Sequence, residues 1–263
     1  MSGAMVSGAQ PGAQPGAAPS APPPPLSDAT LLAASLQFGV LGKSLYREQT
    51  SEELDRMLEA RMFAEAPFAD DQEDTLRGLS LLSLWAEACA DGVGEGVLDE
   101  GPLGDIRHDH FYLFAGVGRP LASPWESTYF NEARLTFEKQ TLEVRDWYRR
   151  YGLMIGLKNK EPDDHIGYEL GFIAHLAQLA LDASKAGDPA ACEATLHALG
   201  GFLTEHPLRW AFVWSERVQI HARSDFYRGL ALLVSGSLRG LSERLGIDMR
   251  SIRQCALSQH SAV

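Results

Sequence analysis

Apolar residues recur with helical spacing along most of the chain. Between residues 28 and 47 they are separated by one, three or four positions: Leu31, Leu32, Leu36, Val40 and Leu41. This spacing places them on one face of a helix, and similar segments follow as far as residue 246. No segment shows the two-residue alternation of a half-buried strand. The pattern therefore predicts an all-α protein, packed as a single-domain irregular helical bundle.

Local signals predict where several of these helices begin. Thr50 is followed three residues later by Glu53, which is the spacing of a capping box. Asp188 stands directly before Pro189, an N-cap residue followed by Pro at the first helical position. A further helix is expected to begin after Pro162.

The first 26 residues lack the helical pattern and consist almost entirely of Ala, Gly, Pro, Ser and Gln. We predict that residues 1–26 form a disordered tail and that residues 27–263 form the helical domain. The tail contains no Lys or Arg, so it does not fit a secretory signal. No apolar run reaches the length of about 18 residues that a membrane span requires. We therefore expect a cytoplasmic protein without an integral membrane span.

Charge and cysteine content narrow the possible functions. The formal net charge of −12 disfavours nucleic-acid binding, which requires clustered Lys and Arg, and suits a basic partner. Cys89, Cys192 and Cys255 form no CxxC pair, which argues against a disulfide framework or a zinc site. Nucleotide-binding and hydrolase motifs are absent from the sequence. Their absence disfavours a nucleotide-dependent enzyme or a hydrolase without excluding either, and we expect no cofactor or metal.

The segment "EPDDHIGYEL", residues 161–170, contains the densest cluster of candidate functional residues. Asp163 or Asp164 could be the N-cap of the following helix. Asp164, His165 and Glu169 could instead bind a metal, or Asp164 and His165 could form an acid–base pair, although adjacent helical residues point about 100° apart. Alternatively, an acidic side chain here could accept hydrogen bonds from an Arg of a partner. The spacing alone leaves these hypotheses open.

A second candidate region is "HFYLFAGVGRPLASPWESTYF", residues 110–130. Leu113 and Phe114 end a predicted helix, and Pro124 and Trp125 lie in the loop that follows. Leu and Phe are most often core residues. Trp in a loop rich in Pro, Gly and Ser is a candidate for a surface pocket, because loops run over the protein surface.

These stretches, in this order, resemble the TorD/DmsD/NarJ-like family of redox-enzyme maturation chaperones, over roughly residues 30–240. "EPDDHIGYELGFIAHL" is similar to the family's E-P-x-D-H motif, and "LFAG…RPLASPWESTYF" is similar to its Leu-Phe and Pro-Trp segment. The Pro-Trp-x-Ser run resembles the dimethyl-sulfoxide-reductase branch more than the nitrate-reductase branch. His110 departs from the family pattern, since it stands where a large aromatic residue is expected.

The resemblance implies an all-helical cytoplasmic chaperone that binds the twin-arginine signal peptide of a molybdopterin oxidoreductase and delays export until the cofactor is inserted. The positions that match the family motifs imply a peptide-binding surface formed by Leu113, Phe114, Pro124, Trp125, Ser127, Asp164 and His165. Glu161 and Pro162 would shape the loop before the helix, and Tyr46 is a further candidate of this surface.

Two alternatives to signal-peptide binding remain. The chain could be a NarJ-type assembly chaperone that acts on the body of a reductase subunit. It could also be a metal-dependent hydrolase that uses Asp164, His165 and Glu169. The sequence allows a monomer or a homodimer.

Overall fold

The computed structural model describes residues 26–91, 101–116, 118–155 and 161–255, and these residues confirm the predicted all-α class. The helices are α1 (Asp28–Tyr46), α2 (Ser51–Glu59), α3 (Glu73–Asp91), α4 (Pro102–Asp109), α5 (Lys139–Arg150), α6 (Ile166–Lys185), α7 (Pro189–Glu205), α8 (Ala211–His221) and α9 (Asp225–Arg244). A π-helical turn (His110–Ala115) continues α4, and short 3-10 turns follow at Glu126–Tyr129, Pro207–Arg209 and Met249–Ser251. No described residue belongs to a β-sheet. Apart from Leu26, the predicted tail over residues 1–26 lies outside the described residues.

The helix starts signalled at Thr50 and at Asp188 are confirmed, and α6 begins after Pro162, at Ile166. The Thr50 hydroxyl accepts the Glu53 N–H, and the Glu53 side chain accepts the Thr50 N–H, so the capping box is complete. The Asp188 carboxylate accepts the N–H of Ala191, and Pro189 is the first residue of α7. Each of these bonds satisfies an N–H that has no partner within the helix.

The bundle is built on two closely packed helix pairs, α1 with α6 and α3 with α9. Gly42 of α1 faces Gly167 of α6, and a Cβ atom on Gly42 would lie 2.7 Å from the Gly167 carbonyl oxygen. Only glycine allows the two backbones to approach this closely. Consequently the last residue of α1, Tyr46, lies against the first turn of α6, where the candidate site is found.

One hydrophobic core extends through most of the bundle. Its largest fully buried side chains include Trp210, Trp214, Tyr129 and Tyr227. Leu170 and Ile173 of α6 are also fully buried. The first turn of α6 thus stands on a rigid, well-packed support. No helix among the described residues is long and apolar enough to cross a membrane.

Candidate functional site

The two regions selected from the sequence are joined in the structure. The Glu126 N–H donates to the Asp164 carbonyl over 2.9 Å, and the Ile166 N–H donates to the Pro124 carbonyl over 2.8 Å. These bonds form an isolated antiparallel bridge in which Trp125 is opposite His165. Trp125 and His165 both have the extended backbone angles that such a bridge requires. The structure therefore brings the Pro-Trp loop and the segment before α6 to one place.

His165 is the N-cap residue of α6. Its Nδ1 atom accepts the N–H of Gly167 over 3.0 Å, so the prediction that Asp163 or Asp164 caps the helix is wrong. The imidazole is 96% buried. Burial, together with a smaller contribution from the charge of nearby His110, lowers the pKa of His165 to about 3. The ring is therefore neutral at physiological pH and acts as a hydrogen-bond acceptor.

Asp164 is fully buried, and both of its carboxylate oxygens are already hydrogen-bonded. Oδ2 accepts the Ser127 N–H and Oδ1 accepts the Thr141 hydroxyl, each over 2.7 Å. This carboxylate thereby ties the Pro-Trp loop and α5 to the start of α6. Its neighbour Asp163 is occupied as well, since its Oδ2 atom accepts two hydrogen bonds from the Arg145 guanidinium at 2.6 and 2.9 Å.

A half-buried cluster of aromatic rings surrounds the carboxylate of Glu161. The Tyr168 and Tyr46 hydroxyls donate to Glu161 Oε2 over 3.0 and 3.4 Å. The two tyrosine rings lie 4.7 Å apart, and the His165 ring meets the edges of Tyr46 at 6.0 Å and Trp125 at 5.9 Å. We call Tyr46, Trp125, Glu161, His165 and Tyr168 the Glu161 cluster. The sequence did not single out Tyr168, although its position three residues after His165 places it in the first turn of α6.

The other predicted site residues are buried. Leu113 is fully buried, and Phe114 packs with ring centroids 6.3 Å from Trp214 and 5.2 Å from Tyr227. Pro124 and Ser127 are buried too. The Leu113 carbonyl accepts the N–H of Ala122 over 2.9 Å, so the π-helical turn fixes the start of the Pro-Trp loop. For these residues, direct contact with a peptide stays a prediction.

Behind the bridge lies a buried acidic pair that the sequence did not reveal. Glu126 and Glu169 are both fully buried, and burial raises the pKa of each carboxyl. Glu126 contacts His206 Nδ1 at 2.8 Å, while Glu169 accepts the Trp210 indole N–H over 3.2 Å. One oxygen of each carboxyl has no hydrogen-bond partner among the described residues. Glu126 and His206 are 80 positions apart, so no local pattern could connect them.

The metal and acid–base hypotheses do not fit this geometry. His165 Nδ1 is engaged by Gly167, Glu169 by Trp210, and Asp164 by Ser127 and Thr141. Across residues 26–91, 101–116, 118–155 and 161–255, no three His, Cys, Asp or Glu side chains are placed to hold a metal ion. An Asp164–His165 dyad is likewise not formed. The alternative of a hydrolase using these residues is therefore wrong.

Comparison with known proteins defines the class. The family model described as the nitrate reductase delta subunit matches residues 80–215, which is more than half of the chain. The chain is 30% identical over 157 residues to the probable Tat proofreading chaperone DmsD of Haemophilus influenzae, covering 60% of this chain and 70% of that protein. It is 28% identical over 113 residues to the chaperone protein TorD of Vibrio cholerae, covering 43% of this chain and 50% of TorD. A Tat proofreading chaperone DmsD from Salmonella typhi is 28% identical over 121 residues, 46% of this chain and 52% of that protein.

These matches, together with the all-helical fold, identify a chaperone and not an enzyme. The chain belongs to the TorD/DmsD/NarJ-like family of redox-enzyme maturation chaperones. The matched stretches span about half the length of the TorD and Salmonella relatives.

Proposed function

We propose that this chaperone binds the twin-arginine signal peptide of a molybdopterin oxidoreductase precursor in the cytoplasm, before the precursor is exported. The observation that carries the proposal is the Glu161 cluster, in which a half-buried carboxylate accepts hydrogen bonds from two tyrosines. The rings of these tyrosines pack against His165, which in turn contacts Trp125. The names of the DmsD relatives, which are Tat proofreading chaperones, support the same partner.

The chemistry of the cluster suits an arginine side chain. A guanidinium binds a carboxylate through charge-assisted hydrogen bonds and also stacks on aromatic rings. Glu161 uses Oε2 for both tyrosine hydroxyls, and its Oε1 atom has no partner within the described part of the chain. That oxygen is therefore available to a ligand. The net charge of −12 assists the approach of a basic peptide.

Trp125 supplies the apolar part of the surface. It lies at the bridge opposite His165, it is partly exposed, and it belongs to the Pro-Trp loop that Asp164 holds in place. An apolar stretch that follows two arginines in a peptide can pack on such a ring. The buried residues Leu113, Phe114, Pro124, Ser127 and Asp164 then support the surface from below.

The test is calorimetry with a peptide that carries two consecutive Arg followed by an apolar segment. We expect binding by the wild-type protein, and Glu161→Gln should weaken it by about tenfold, the loss expected for one charge-assisted hydrogen bond. Gln can still accept both tyrosine hydroxyls, so the fold should be unaffected. Glu193→Gln provides the matched control, because it removes the same charge from an exposed position on α7.

Two results would contradict the proposal. One is equal affinity of wild type, Glu161→Gln and Glu193→Gln for the peptide. The other is unchanged affinity when both arginines of the peptide become Gln. Binding of a reductase subunit without its signal peptide, and no binding of the peptide, would favour a NarJ-type chaperone that acts on the body of the subunit.

A further inference from the structure

A pocket of about 230 Å³ opens beside Trp125, and its lining residues all come from the segment between Ala115 and Thr136. Two arginines, Arg119 and Arg134, line it, together with Trp125 and the hydroxyl residues Ser123, Thr128 and Thr136. We call it the Arg119–Arg134 pocket. Its volume is below the range of about 300–1,000 Å³ that drug-sized ligands occupy, so it suits a single small group.

The charges around this pocket are unusual for a chain with a net charge of −12. Within the described residues, neither Arg119 nor Arg134 forms an ion pair, whereas Arg145, Arg239 and Arg244 all pair with aspartates. Burial lowers the pKa of Arg134, and the neighbouring guanidinium groups of Arg217 and Arg119 lower it further.

Arg217 completes a group of three cations. Its guanidinium lies 5.9 Å from the ring centroid of Tyr129 and donates to the Leu121 carbonyl over 3.5 Å. The guanidinium groups of Arg217 and Arg119 both lower the pKa of Arg134, whereas the Tyr129 hydroxyl raises it. Like charges held together without a counter-charge are unfavourable, and an anion would relieve their repulsion.

The wall of the pocket is held in position by its own hydrogen bonds. The Ser123 and Thr128 hydroxyls are 2.8 Å apart, and the Tyr129 hydroxyl donates to the Ser123 carbonyl over 2.9 Å. The Asn131 side chain donates to the Leu135 carbonyl over 3.1 Å and accepts the Leu135 N–H over 2.8 Å. These bonds fix the turn that contains Arg134, and a fixed site loses less conformational freedom when it binds a ligand.

We propose that the Arg119–Arg134 pocket binds an oxyanion, a carboxylate or phosphate group, between its two guanidinium groups. Carboxylate and phosphate both match the planar fork of an arginine, which donates two parallel N–H bonds to neighbouring oxygens. This site shares Trp125 with the Glu161 cluster but differs from it in charge, since its arginines select anions. It does not depend on the proposed signal-peptide function.

Inorganic phosphate is the probe. Its binding is measured by the broadening of its phosphorus NMR signal, and chloride holds the ionic strength constant. We expect saturable binding to the wild-type protein, and Arg119→Gln or Arg134→Gln should each weaken it by about tenfold or more. Arg61→Gln is the matched control. Arg61 is an exposed arginine without an ion pair in the described structure, and its φ of 47° resembles the 52° of Arg134.

Acetate in competition with phosphate then separates the two ligand sources. If acetate displaces the phosphate whose binding Arg119→Gln and Arg134→Gln weaken, the result supports a carboxylate ligand. If acetate does not displace it, the result supports a phosphate ligand. Phosphate binding that does not saturate would overturn the proposal, as would binding that Arg119→Gln and Arg134→Gln reduce no more than Arg61→Gln does. Thermal melting of each variant confirms that the fold is retained.

Discussion

The candidate site consists of two layers that differ in what their polar atoms contact. In the inner layer, formed by Leu113, Phe114, Pro124, Ser127 and Asp164, every residue is buried. Both oxygens of the Asp164 carboxylate there accept hydrogen bonds, from Ser127 and Thr141. In the outer layer, Tyr46, Trp125, Glu161 and Tyr168 are partly exposed, and Glu161 keeps one oxygen free of described partners. His165 belongs to both, because it caps α6 and also contacts three aromatic rings.

The difference between the layers shows that the residues of a short motif can have two roles. Some hold a surface in position, and others form the surface itself. The inner residues determine where the Pro-Trp loop lies against α6, and the outer residues present charge and aromatic rings to a ligand. Variants of the two layers should therefore differ in their main effect. Inner variants should reduce the free energy of unfolding, whereas outer variants should reduce ligand affinity and leave the fold intact.

The largest effect is expected at Phe114. Phe114→Ala removes a ring that packs against Trp214 and Tyr227, and the free energy of unfolding should fall by about 3–5 kcal/mol. Phe111→Ala is the matched control, because Phe111 lies three residues earlier in the same π-helical turn with 44% of its surface exposed. It should cost less than about 1 kcal/mol. Urea denaturation measures both, and equal losses would contradict the assignment of Phe114 to the inner layer.

A pH-dependent effect is expected at His165. Its pKa in the folded protein is about 3, below the ordinary value of 6.5, so the unfolded chain binds the extra proton between these pH values. The contribution to stability is therefore complete above pH 6.5 and is lost as the pH falls through that window. By pH 4.5 the loss should reach about 2.5 kcal/mol.

His165→Asn isolates this contribution. Asn is a good N-cap residue and can still accept the Gly167 N–H, but it has no titrating group in this range. Wild type should therefore lose stability relative to the variant as the pH falls from 7 to 4.5. Urea denaturation across this range measures it, and a constant difference would show that the ring is not buried as a neutral group.

Sequence reasoning was most successful where the signal is local. Helical periodicity and the capping box at Thr50 and Glu53 depend on residues within one or two turns, and both are confirmed. The resemblance to a chaperone family was also correct. The cap of α6 was predicted at the wrong residue because Asp is a preferred N-cap residue and His is not.

Long-range contacts decide between such neighbours, and the sequence does not show them. Asp163 accepts hydrogen bonds from Arg145, and Asp164 accepts them from Ser127 and Thr141. His165 is therefore the residue that caps the helix. The Glu126–His206 contact and the group of three arginines were missed for the same reason, since their members come from separate segments.

A smaller effect on stability, about 2 kcal/mol, is expected for Asp164→Asn. One of the two carboxylate oxygens becomes an NH2 donor, so either the Ser127 N–H or the Thr141 hydroxyl loses the atom that accepts its hydrogen bond. The charge that strengthens these bonds is lost as well. Asp146→Asn is the control, because its carboxylate is exposed and forms only a surface ion pair with Arg149. Urea denaturation should show a loss below about 1 kcal/mol for this control.

The same position distinguishes support of the loop from direct contact with the peptide. If Asp164 supports the Pro-Trp loop, Thr141→Val should weaken peptide binding as well, because it removes one of the two bonds while the carboxylate remains. Furthermore, the loss of affinity in Asp164→Asn should be equal for peptides with two arginines and for peptides in which both are Gln. Calorimetry with the two peptides and the two variants measures this. If Asp164 contacts an arginine directly, Thr141→Val should bind as tightly as wild type, and the effect of Asp164→Asn should disappear with the Gln peptide.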